Sequence, residues 1–151
     1  MKTSAIGKQM GGVDHGLRLR SLWNAWLLAM LFHVELGLMP LFHGLSVKTG
    51  SQINPAQLAL LFGTMLIYFL IPLAALLLIA YASSAPQGEQ RWRPWRRLHL
   101  WLSIGYTATN IPHLAADMLV TDSRPDQVLL MLAMVTIGLL INLESWRWCR
   151  Q

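Results

Sequence analysis

The feature that most constrains the fold is a stretch of forty residues, Thr49–Gly88, that contains no charged side chain. Within it, Leu58–Tyr81 is almost wholly apolar, and about 20 consecutive apolar residues are enough to cross the hydrocarbon core of a bilayer. Over the whole chain, 54% of residues are hydrophobic and only 13% are charged, whereas a soluble domain has about 25% charged residues. This composition argues against a soluble globular enzyme, excludes a disordered chain and predicts an integral membrane protein.

Three further segments are long enough to cross a membrane and carry almost no charge. Ser21–Gly44 is interrupted only by Glu35, whereas Leu98–Ala116 and Gln127–Leu143 contain neither acidic residues nor Lys or Arg. The connectors between these segments are short and polar, so no room remains for a soluble domain.

The sequence therefore predicts an all-α membrane protein, a four-transmembrane-helix bundle that occupies residues 21–146. Residues 1–20 are rich in glycine, and we expect them to form a mobile cytoplasmic N-terminal segment. The expected spans are 21–44, 57–81, 97–120 and 126–145.

The distribution of Lys and Arg predicts the orientation of the bundle. Ten of the twelve lie in the N-terminal segment, in the loop between the second and third spans and at the C-terminus, whereas Lys48 and Arg124 lie on the other side. Because positively charged loops stay in the cytoplasm, both termini of this multi-pass chain are expected there. Basic residues at the ends of apolar segments are typical of a lipid bilayer partner and argue against nucleic acid. The seven tryptophans also lie at or near the predicted cytoplasmic ends, which indicates an interfacial belt.

The third span carries a continuous polar stripe. At about 100° per residue, one helix face collects six polar side chains, while Ile104 and Ala108 lie opposite. Polar groups are costly inside a membrane, so we expect this stripe to face the other helices. Its members are His99, Ser103, Tyr106, Asn110, His113 and Asp117.

Two histidines of this stripe resemble the haem ligands of membrane b-type cytochromes. His99 and His113 have thirteen residues between them and are about 21 Å apart along the helix axis. The resemblance implies haem b with axial histidines, since a neutral imidazole nitrogen binds haem iron without bringing charge into the bilayer. His33 and His43 in the first span complete a set of four, enough for two bis-histidine haems.

Depth in the membrane selects among these four histidines. At 1.5 Å per residue, His33 and His113 lie within about 6 Å of each other in depth. His43 and His99 lie at opposite faces of the membrane, so one haem between His33 and His113 is allowed and the two-haem pattern is not met. A second haem would need another ligand, for which His15 is a candidate.

The same helix also supports a metal-binding interpretation. Asn110, His113 and Asp117, around a proline, resemble part of the metal-binding helix of the zinc/iron-regulated transporter family, whose members have about twice as many helices. Nitrogen and oxygen ligands at the i and i+4 positions of a helix suit a divalent metal such as Zn²⁺, Mn²⁺ or Fe²⁺. His33 or Glu35 is a candidate further ligand, although these two lie on nearly opposite faces and do not easily bind one ion.

The leading functional prediction is a small integral membrane haem-b protein in electron transfer, or a membrane subunit that passes electrons to quinone or to a redox partner chain. One alternative is an intramembrane metal-ion or proton binding or transport protein. Another is a cofactor-free subunit or assembly factor of a larger membrane complex. The sequence leaves open homo- or hetero-oligomerisation and enzymatic activity. The single cysteine, Cys149, excludes an internal disulfide framework, and no nucleophile motif or phosphate-binding glycine loop occurs.

Overall fold

The computed structural model describes residues 14–45, 54–84, 92–119 and 124–150, which contain four long helices and no strand. The helices α1, α2 and α4 are each long and apolar enough to cross a membrane. The predicted all-helical fold with four long helices is therefore confirmed over the described residues, and three of the four are suited to cross a membrane. The polar stripe makes α3 less apolar than the other three. The elements are α1 (His15–Phe42), α2 (Pro55–Ser84), α3 (Arg93–Leu119) and α4 (Pro125–Cys149).

The first helix begins earlier than the sequence predicted. The side chain of Asp14 accepts a hydrogen bond from the backbone N–H of Leu17 at 3.0 Å and thereby caps α1. Residues 15–20 are consequently helical rather than part of a mobile segment, whereas the first thirteen residues lie outside the described ranges. At the other end, Gly44 has a φ of 72°, the left-handed conformation that terminates many helices.

The helices meet mainly through α1 against α2 and α4, and through α3 against α4. Between α1 and α3 the space is filled by large rings, since Trp26 and Tyr106 pack edge-to-face with centroids 4.9 Å apart. Trp23, Trp26 and Trp148 are each at most 3% exposed. The predicted tryptophan belt is therefore wrong for these three, which belong to the buried core, while Trp101 lies on the surface with 70% exposure.

One glycine sets the distance between α3 and α4. A Cβ added at Gly138 would lie 2.7 Å from Thr107 Oγ1 and 3.0 Å from its Cγ2. At Gly105 on α3, by contrast, an added Cβ would have no neighbouring atom within 4 Å. The close approach of α3 and α4 therefore depends on the missing side chain at Gly138.

Prolines inside α1 and α2 free backbone carbonyls that other helices then use. The two residues are Pro40 and Pro72. Proline has no N–H, so the carbonyl four residues earlier loses its helical donor. In α1 the carbonyl of Leu36 accepts a hydrogen bond from Arg124 Nη1 at 2.7 Å, and in α2 the carbonyl of Tyr68 accepts one from the Tyr106 hydroxyl. Each freed carbonyl thus accepts a hydrogen bond from a distant part of the chain.

Two polar contacts of α1, one near each end of α4, mark the two ends of the apolar layer of the bundle. At one end Arg18 donates to the nearly buried carboxylate of Glu144 at 3.0 Å, and at the other Arg124 donates to Leu36. Eighteen residues of α1 separate Arg18 from Leu36, which is about 27 Å of helix. This distance is close to the roughly 30 Å thickness of a bilayer hydrocarbon core. We call these two levels the Glu144 end and the Arg124 end.

Candidate metal centre

The polar stripe of α3 faces the bundle as predicted over most of its length. Ile104 and Ala108 on the opposite face are exposed. His113 reaches the surface and Asp117 is partly buried, so the stripe opens toward the Arg124 end. Its fully buried members are His99, Ser103, Tyr106 and Asn110.

Three side chains with metal-binding atoms converge where α1 meets the last turns of α3. His33 comes from α1, and His113 and Asp117 lie one turn apart on α3. One ligand atom from each residue lies within 4.8 Å of the other two. The rings of His33 and His113 have centroids 5.6 Å apart, and His33 Nε2 is 3.8 Å from Asp117 Oδ2. The structure therefore brings together the histidine pair that depth selected and adds a carboxylate to it.

Two polar atoms of this triad lack a hydrogen-bond partner, although His33 and Asp117 form an ion pair when His33 is protonated. His33 Nδ1 and Asp117 Oδ2 are buried and have no hydrogen-bond partner. The 3.8 Å separation of the His33 and Asp117 side chains is too long for a hydrogen bond. Leaving a buried carboxylate oxygen without a donor costs on the order of 1–3 kcal/mol or more. A cation held between the three side chains would remove this cost.

The chemistry of the triad suits a divalent transition metal. Two imidazole nitrogens and a carboxylate oxygen are ligands that Zn²⁺, Fe²⁺ and Mn²⁺ accept. These atoms bind zinc at about 2.0–2.2 Å, so ligand atoms as much as 4.8 Å apart would have to move together by roughly 1 Å. Side-chain rotation of His113 is the simplest route, because this residue is exposed.

His99, a predicted haem ligand, is instead part of the packed core. Its Nε2 accepts a hydrogen bond from the Trp23 indole N–H at 2.9 Å. Its Nδ1 lies 3.0 Å from Ser145 Oγ, whose own hydroxyl donates to the Ile141 carbonyl at 2.7 Å. Nδ1 is therefore the protonated ring nitrogen, and it donates a hydrogen bond to Ser145 Oγ. Iron binding at His99 Nε2 would therefore require breaking the buried hydrogen bond from Trp23, while the Nδ1–H bond to Ser145 could remain.

The remaining predicted ligands lie outside the triad. His43 is exposed at the end of α1, and Glu35 is exposed on another face of α1, where it lines an apolar pocket. The Asn110 amide donates to the Tyr106 carbonyl at 3.2 Å, and its oxygen accepts from the Tyr68 hydroxyl at 3.4 Å. Asn110 thus ties α3 to α2. The sequence predicted neither the hydrogen bonds of His99 with Trp23 and Ser145 nor the hydrogen bond of Asn110 with Tyr68. Each of these bonds depends on how another helix is rotated about its axis.

A haem between His33 and His113 would have Asp117 as a close neighbour. Axial imidazole nitrogens lie about 2 Å on either side of a haem iron, and the porphyrin extends between the two rings. The Asp117 carboxylate oxygen is within 4.8 Å of a nitrogen of each ring. Haem ligation by His33 and His113 stays a prediction.

No protein-family model matches the sequence, and no curated protein or solved structure matches it. The resemblances to b-type cytochromes and to the zinc/iron-regulated transporter family remain inferences from short stretches of α3. The case for a function accordingly depends on the site itself.

Proposed function

We propose that this protein binds a divalent transition-metal ion inside its transmembrane bundle, through His33, His113 and Asp117. The observation that supports this most directly is the convergence of three ligand atoms within 4.8 Å, contributed by two different helices. Two polar atoms of the same residues are buried without hydrogen-bond partners. An ion would neutralise the carboxylate and bind one nitrogen of each imidazole. Neutralising a carboxylate matters most inside a membrane, where little water is present to solvate it.

The proposal includes α3 as a fourth membrane span. The polar side chains of α3 are turned toward the other helices, and its outer surface carries Trp101, Ile104 and Ile111. A helix with that surface can face lipid, although its overall apolarity is lower than that of its neighbours.

The proposed orientation puts both termini in the cytoplasm. Ten of the twelve Lys and Arg residues then lie on the cytoplasmic side. The Glu144 end becomes the cytoplasmic end and the Arg124 end the outer one. Reporter fusions at Met1 and Gln151 should both be cytoplasmic, and two exterior signals would contradict this orientation.

Metal binding is tested on the purified full-length protein in detergent. After equilibration with Zn²⁺ or Co²⁺ and gel filtration, elemental analysis should find one ion per chain. His33→Ala, His113→Ala and Asp117→Ala should each lose the ion. His43→Ala is the matched control, because His43 is exposed at the end of α1 and should leave the stoichiometry unchanged. Equal retention by all four variants would refute the proposed site.

A second candidate function is electron transfer by a haem-b protein, with quinone or a redox partner chain as partner. The adjacency of the His33 and His113 rings supports it. One variant separates the two candidates. Asp117→Ala removes a metal ligand, whereas bis-histidine haem ligation does not use Asp117. Expression with added haem should therefore give a Soret band that Asp117→Ala preserves if haem is the cofactor. Absence of both metal and haem would favour a cofactor-free subunit.

A further inference from the structure

The triad offers three ligands, fewer than a closed metal site needs. Structural zinc sites have four protein ligands, whereas reactive sites have three and leave a position to water or substrate. In the described ranges, the group of His, Cys, Asp and Glu side chains at this place comprises His33, His113 and Asp117 alone. The Asn110 side chain is already bonded to Tyr106 and Tyr68 and is not free to complete the set.

The position of the triad places it close to one end of the bundle. His33 is three residues before Leu36, about 4.5 Å along α1 from the level of the Arg124 contact. Asp117 is two residues before the end of α3 at Leu119. The ring of His113 is exposed, so the cluster is open on that side and more enclosed at His33 and Asp117. A bound ion would therefore lie at the border of the apolar layer rather than at its centre.

We infer that a metal bound by the triad keeps at least one coordination position open, and that this position is reached from the outer aqueous phase. The inference rests on the proposed function and on the proposed orientation. Two imidazoles and one carboxylate leave open positions on any of the metals considered. Water fills such a position in the resting protein, and a small anion with a nitrogen or oxygen donor atom can replace it.

Co²⁺ provides the test, because its visible spectrum reports its ligands. The purified protein is loaded with one equivalent of Co²⁺, freed of excess metal and titrated with sodium azide. A saturable change of the visible bands, with cobalt still bound, is the expected result. The His43→Ala variant should behave in the same way, and cobalt in buffer alone defines the background. A bound cobalt whose spectrum azide does not change would overturn the open position, whereas failure to bind cobalt would refute the metal site itself.

The direction of access is tested with sealed membrane vesicles of both orientations and EDTA, which does not cross the bilayer. Cys149, the single cysteine, lies at the Glu144 end and reports orientation through labelling by an impermeant maleimide. Vesicles whose Cys149 is protected should lose cobalt to external EDTA within minutes, and vesicles whose Cys149 is labelled should retain it. The opposite pattern, or equal loss from both, would overturn outward access.

Discussion

Replacing Gly138 with alanine should destabilise the bundle, because the new methyl group has no space. Its Cβ would lie 2.7 Å from Thr107 Oγ1, well inside van der Waals contact. Thr107 is not free to rotate away: its hydroxyl donates to the Ser103 carbonyl at 2.9 Å and accepts from the Asn142 amide at 3.1 Å. Relief of the clash must therefore break hydrogen bonds or push α3 away from α4.

The expected magnitude follows from two opposing effects. Overpacking a tight contact costs about 1–3 kcal/mol. Alanine in place of a helical glycine contributes about 1 kcal/mol of stabilisation in the other direction. Gly105→Ala, whose Cβ would meet no atom within 4 Å, receives only the second effect and is the matched control. The difference in the free energy of unfolding between the two variants should therefore be about 1–3 kcal/mol.

Unfolding in SDS-containing mixed micelles, followed by tryptophan fluorescence, measures this difference, because three tryptophans lie in the core. Gly138→Ala should unfold at a lower SDS fraction than the wild type, and Gly105→Ala at an equal or higher one. Adding Thr107→Ala to Gly138→Ala should recover part of the loss, since Oγ1 and Cγ2 are then absent. If the two glycine variants unfold at the same SDS fraction, the close approach of α3 and α4 at Gly138 is wrong.

Two further predictions use the same unfolding assay. His99→Leu leaves the Trp23 indole N–H without its acceptor and should lower the free energy of unfolding by about 2–4 kcal/mol, whereas His43→Ala should change it by less than about 0.5 kcal/mol; similar values for the two would contradict the structural role of His99. Arg124→Leu removes the donor to the Leu36 carbonyl and should cost about 1–2 kcal/mol, so a wild-type midpoint would show that this contact contributes nothing.

The positions of the charged residues and the 3.6-residue period of the polar side chains predicted most of the fold. Gaps between charged residues located all four helices, although α1 begins six residues before its predicted span because Asp14 caps it and Arg18 pairs with Glu144. The period of 3.6 residues correctly grouped the stripe of α3. The rise per residue was also enough to pair His33 with His113, since depth along a membrane helix depends only on residue number.

The rotation of one helix against another could not be predicted. In a soluble protein the apolar face shows which side is buried, but a membrane helix is apolar on both its lipid-facing and its packed sides. Nothing in the sequence of α1 therefore showed that Trp23 points at His99, whereas the polar stripe of α3 correctly placed Trp101 on the outer face. The same limit left open whether His33 or Glu35 lies beside Asp117, and the structure places His33 there.

The carbonyls freed by the two prolines have a consequence for how the chain is assembled. Both acceptors, on Leu36 and Tyr68, lie in the first half of the chain, and both donors, on Arg124 and Tyr106, lie in the second. In the proposed topology, α1 and α2 enter the bilayer first during synthesis, each with a carbonyl that has lost its helical N–H donor to a proline. That hairpin remains incomplete until α3 and α4 supply the missing donors. The two halves of the chain, made as separate polypeptides, should therefore recognise each other and reassemble.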